Sequence, residues 1–191
     1  AILKDYEQKL DDAADKIYKG IEKENLVILS WGAAMLKDLL TWMESDDSKW
    51  TPAQIQVVQE NLAKARLQTQ QMFPNWYKRQ TVYSIENLGD FKRKMSSVRR
   101  NLQNLGLDEE QKLLAEHVEE IEENVRFIAE LKQTVTNIKQ MVDSCVINDS
   151  TTMQTLNSWL EQVQNYAKGL ETAPLHTRVV ASEVSDAKNM L

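Results

Sequence analysis

His117 stands among Glu116, Glu119, Glu120 and Glu123, a grouping that raises the question of a carboxylate–histidine metal site. Di-iron helical bundles use Glu-x-x-His on each of two helices, with two further inward glutamates. Here position 114 is leucine, the order is His-x-x-Glu, and no second copy exists. His176 is the only other histidine, and Cys145 is the only cysteine, which excludes an internal disulfide framework and a cysteine-rich zinc site. No serine is framed by nucleophile-elbow glycines, and there is neither a P-loop nor a Gly-x-Gly-x-x-Gly loop. The residues therefore point to no catalytic centre, no metal and no cofactor, and the chain reads as a non-enzyme. Asn148-Asp149-Ser150 matches a glycosylation acceptor triplet, a pattern that also arises by chance.

Binding chemistry is better represented. From Lys78 to Arg100 the sequence carries seven Lys/Arg against two acids, with a basic face at Lys92, Arg93, Lys94, Arg99 and Arg100. Such a cluster suits phosphate or acidic lipid. Asp108 to Glu130 then carries nine acids against Lys112 and Arg126. A reversal at Gly106 and Leu107 brings Lys94 level with Glu119 and Arg93 level with Glu120. The two helices are then expected to neutralise each other, and with a net charge of −6 no nucleic-acid partner is expected.

A second candidate is the aromatic stretch Met72-Phe73-Pro74-Asn75-Trp76-Tyr77. Proline removes a backbone donor and disfavours helix at the residue before it, so a helix break is expected here. Phe73, Trp76 and Tyr77 then either fill the gap at the kink or protrude to dock a protein partner or lipid headgroups. Trp50, in an earlier turn, is a further anchor of the same kind.

The third is the most apolar stretch, Leu26 to Trp42. Lys37 and Asp38 interrupt it before the ~20 mainly apolar residues that a spanning helix needs. Leu26, Ile28, Trp31, Met35, Leu39 and Trp42 supply a helical face, predicted as core at rest and as the candidate membrane segment if the fold opens.

The elements that must position these residues are all helical. Five Gly and three Pro in 191 residues argue against turn-rich sandwiches, barrels and doubly wound folds. Leu3, Tyr6, Leu10, Ala13, Ile17 and Ile21 extend the first face backwards, so one helix is expected from about residue 2 to 45. Thr51, Pro52 and Gln54 start the next, with a capping box and a first-turn proline. Ile55, Val58, Leu62, Ala65 and Met72 form its face. Val82, Ile85, Leu88, Phe91, Met95, Val98, Leu102 and Leu105 follow, closed by Gly106 as a C-cap. Leu114 to Val142 is the most regular stretch, with bundle-type spacing rather than a sustained coiled-coil heptad. Met153, Leu156, Trp159, Leu160, Val163, Tyr166 and Leu170 mark a last helix.

The expected fold is an all-α, elongated antiparallel bundle of three to four long helices over 1–172, the second arm broken at Pro74. A short C-terminal helix or tail follows at 173–191. The expected function is a non-catalytic interaction or scaffolding module that presents helix faces and the aromatic break to a protein partner. The alternative is a membrane-active helical protein, a pore-forming or secretion-system component that stores an amphipathic segment in a soluble bundle.

Overall fold

The computed structural model describes residues 1–143, 153–155, 157–162 and 164–165. Its elements are α1 (Ile2–Glu22), α2 (Leu26–Glu44), one 3-10 turn (Asp47–Lys49), α3 (Pro52–Arg79), α4 (Ile85–Asn104) and α5 (Asp108–Asp143). No β-strand occurs among the described residues, and 153–155, 157–162 and 164–165 are also helical. Cys145, the turn at 145–150, Thr151, His176 and the 173–191 segment lie outside the described residues. Two compact units divide the chain: Ala1–Thr81 with Gly89–Ile121, and Val82–Leu88 with the chain from Glu122 onward.

In the first unit α2 is central and packs against both α1 and α3. The single helix expected over residues 2–45 is in fact two. Glu24 adopts a left-handed backbone (φ 50°), which ends helical geometry after α1. Asn25 then restarts it: its side-chain oxygen accepts from the Val27 N–H at 3.0 Å, an N-cap that satisfies one orphan donor of α2. Close approach of the two helices rests on glycine. A Cβ at Gly20 would lie 2.5 Å from the Leu29 nitrogen, and one at Gly32 would lie 2.8 Å from Ile17 Cγ1.

The buried face of α2 also differs from the expected one. Leu26, Leu29, Ala33, Leu36, Leu40 and Met43 are buried, with Leu39 beside them. Ile28, Met35 and Trp42 are only half-buried, and Trp31 is 52 % exposed. A helix covered from two sides is apolar over much of its circumference, so three-and-four spacing fits more than one stripe.

The start of α3 follows the sequence expectation. Thr51 Oγ1 accepts from the Gln54 N–H at 3.2 Å, Gln54 Oε1 accepts from the Thr51 N–H at 2.9 Å, and Pro52 opens the first turn. Replacing Thr51 by alanine is expected to lower stability by about 1 kcal/mol in denaturant unfolding. Near this end Tyr6, Leu39, Leu40, Met43, Trp50 and Val58 form one apolar cluster. The Tyr6 hydroxyl donates to the Gln54 carbonyl at 3.3 Å, and burial, with Glu7 nearby, pushes its pKa above the usual value.

Contrary to expectation, α3 is not broken at Pro74. It continues to Arg79 with Pro74 inside it, and ends at Gln80, whose backbone is extended. A mid-helix proline costs about 3 kcal/mol by removing a hydrogen bond and crowding the preceding turn. Burial of Phe73 and Trp76 on either side of it offsets that cost, since each large ring removed from water stabilises by roughly 1.5–3 kcal/mol or more.

Gly106 ends α4 as the sequence predicts. Its φ of 71° lets the Leu107 N–H reach the Leu102 carbonyl at 2.9 Å and its own N–H reach the Gln103 carbonyl at 3.0 Å. The Arg66 guanidinium adds a bond from Nε to the Leu105 carbonyl at 2.8 Å, tying α3 to this turn. In the second unit, Val125, Ile128, Leu131, Val135 and Ile138 of α5 are buried at the expected spacing.

Candidate functional site

Of the aromatic residues set out as partner anchors, Phe73, Trp76 and Trp50 are core, as the gap-filling alternative has it. Phe73 is 1 % exposed, Trp76 3 % and Trp50 9 %, so none of the three rings lies at the surface. Because the helix continues through Pro74, residues 73 and 76 share its inward face. Tyr77 is half-buried: its ring stacks on Phe73 at 4.8 Å and meets the His117 ring edge-on at 5.4 Å. Trp50 packs between Tyr6 and Trp42, each 5.3 Å away between ring centroids.

His117 has a local structural setting. Its Nε2 lies 2.7 Å from the Gln80 carbonyl, so the carbonyl accepts and Nε2 carries the hydrogen. The contact fixes α5 to the C-terminal end of α3. Among the described residues no group of three or more His, Cys, Asp or Glu is placed to hold a metal ion.

The expected neutralisation of the basic face by α5 does not form at the expected pairs. Arg93 pairs with Asp90 one turn earlier in its own helix, and neither Lys94–Glu119 nor Arg93–Glu120 is an ion pair among the described residues. Side chains of opposite charge on facing helices choose nearer partners when those are available at i−3. Lys92, Arg93, Lys94 and Arg100 are exposed, whereas Arg99 is half-buried with its Nε out of contact with water and lacking an acceptor.

The structure instead brings together two residue sets that the sequence left apart. Trp31 and Met35 of the apolar stretch and Arg100 of the basic face line one groove of about 580 Å³ between α2 and α4. Polar bonds hold its two walls together. Asn101 Nδ2 donates to Ser30 Oγ at 3.4 Å, and Asn104 Nδ2 donates to Asp38 Oδ1 at 3.2 Å. Asp38 is thereby engaged, while Arg100 forms no ion pair among the described residues. The Lys16 ammonium sits 4.2 Å from the Trp31 ring centroid, a cation–π contact that holds the indole from the α1 side. The groove thus offers a half-exposed indole, a flexible thioether and a free guanidinium on a scaffold of two helices.

Comparison with family models, with curated proteins and with solved structures finds no match to this chain.

Trp31 was legible as a notable residue, but as core or membrane face rather than as a groove wall. Nothing in chain spacing brings Trp31 and Arg100 together, because their meeting depends on how α4 lies along α2. Arg79 was counted in the basic stretch from Lys78 to Arg100 but not on its basic face, and Lys23 carried no signal; each is one cation among many at a helix end.

Proposed function

We propose that this chain is a non-catalytic protein-interaction module whose docking surface is the α2–α4 groove around Trp31. The observation that carries this reading is Trp31 itself, 52 % exposed beside an unpaired Arg100 in a concave site. Tryptophan and arginine are the residue types that most often dominate binding energy at protein interfaces. Met35 adds an adaptable apolar wall. Asp38 accepts from the Asn104 amide on one side of the groove, and Arg100, which forms no ion pair among the described residues, supplies a cation on the lining. The partner that fits is an amphipathic helix carrying an apolar anchor for Trp31 and Met35 and a carboxylate for Arg100.

The test is quantitative capture of bound proteins from the source cells by the full chain and by Trp31→Ala and Arg100→Glu variants. Each variant is expected to weaken the specific partner by about 2 kcal/mol, roughly thirtyfold in affinity, with helicity by circular dichroism unchanged. Equal retention of the same partner by both variants contradicts the assignment.

A second reading rests on α2. By length and composition Leu26–Glu44 is apolar enough to cross a membrane, and 56 % of that window is buried in the fold. Membrane activity requires α2 to leave its places against α1 and α3. Leakage from anionic vesicles with a blue-shifted tryptophan emission supports it; unchanged emission and intact vesicles count against it.

A further inference from the structure

A pocket of about 290 Å³ lies where the α1–α2 turn, the end of α3 and the middle of α4 meet. Three cations line it from three separate elements: Lys23 at the end of α1, Arg79 at the end of α3 and Lys94 of α4. None of the three forms an ion pair among the described residues. Other lysines and arginines nearby do: Lys19 is bonded to Asp15, and Arg93 to Asp90. Glu24 is the single acid on the lining, so the local charge is three positive against one negative. Trp76, 3 % exposed, also lines the pocket.

Like charges gathered in a concavity repel one another, and unpaired they raise the energy of the fold; an anion removes that penalty. The donor set suits a tetrahedral dianion. A guanidinium supplies a planar fork, and two ammonium groups supply mobile point charges. Ligand pockets usually run from roughly 300 to 1,000 Å³, so this one, at the lower end, fits a phosphate group with a small substituent rather than a dinucleotide. We propose that Lys23, Arg79 and Lys94 form a binding site for a phosphate monoester dianion, carried by a small soluble molecule or by a lipid headgroup.

The test is calorimetric titration of the full chain with inorganic phosphate and with glycerol phosphate in chloride buffer. Saturable binding of one equivalent is expected. Lys94→Gln and Arg79→Gln should each weaken it roughly tenfold, since each removes a charge-assisted contact. Glu24→Gln should tighten it by removing the opposing carboxylate, a change of sign that general surface charge or misfolding does not produce. All three positions are exposed, and circular dichroism checks that the variants fold. Trp31→Ala, at the other groove, should leave phosphate binding unchanged. Cosedimentation with phosphatidylcholine vesicles containing a phosphatidylinositol monophosphate separates the two sources. Vesicle binding lost in the same variants assigns a headgroup, and phosphate binding without vesicle binding assigns a soluble ester. Absence of saturable binding at millimolar phosphate, or equal affinity in wild type, Lys94→Gln and Arg79→Gln, overturns the site.

Discussion

Truncation of Phe73 or Trp76 to alanine is expected to remove about 3–5 kcal/mol of stability, measured by urea unfolding of the full chain. Both rings are almost wholly buried, at 1 % and 3 % exposed, on the inward side of α3. Each truncation loses the transfer energy of a large aromatic group and leaves a cavity that the surrounding helices cannot fully close. The Phe73 change also removes the surface on which Tyr77 stacks, loosening the ring pair that meets His117. A cost of that size is a large share of the stability of an ordinary domain. Near-normal stability in Trp76→Ala, with lost partner binding alone, would instead return this residue to the docking role that its sequence setting suggested.

Gly20→Ala is expected to destabilise by about 1–3 kcal/mol, against the usual sign for a helical glycine. In an ordinary helix interior alanine is better than glycine by about 1 kcal/mol. At Gly20 the added methyl meets the Leu29 nitrogen at 2.5 Å and its Cα at 2.7 Å, which are backbone atoms that cannot rotate away. The α1–α2 pair must then separate, and Ala13, Leu29 and Ala33, all now fully buried, lose contacts. Gly89 is the control: a Cβ there meets nothing within 4 Å, so Gly89→Ala should stabilise by roughly 0.5–1 kcal/mol. Opposite signs in the two thermal unfolding shifts identify close helix approach at Gly20. The same sign at both sites would contradict it.

The helical class, the start of α3 and the end of α4 were legible because they rest on local chemistry. Thr51 with Gln54 and Gly106 act through atoms a few residues apart, and low Gly and Pro content already removes turn-rich folds. The buried stripe of α5 was legible for a related reason: most of its other positions are polar, with Leu113 and Phe127 among the exceptions, so one apolar phase stands out. The α1–α2 break was not, because no proline marks it and Gly20, which the sequence offers as a bend or a close contact, stays helical within α1; the turn falls at Glu24, in a conformation that its residue type seldom takes. Pro74 misled in the other direction. The local rule against proline was outweighed by burial of the rings around it, a tertiary effect with no trace in spacing. The face of α2 was misplaced because this helix is covered on two sides, which blurs its apolar stripe. The groove then followed from that error: what spacing assigned to the core, Trp31, is the residue left at the surface.

We propose that a partner docks in the groove of Trp31, Met35 and Arg100. The most direct test is a photo-crosslinking residue placed at Ser97 on the groove wall, activated in the source cells, with a second chain labelled at Lys64 of α3 as reference. A discrete adduct from position 97, absent from position 64 and lost when Arg100→Glu is added, is the expected result. No adduct from position 97, or the same adducts from both positions regardless of Arg100→Glu, would contradict the claim.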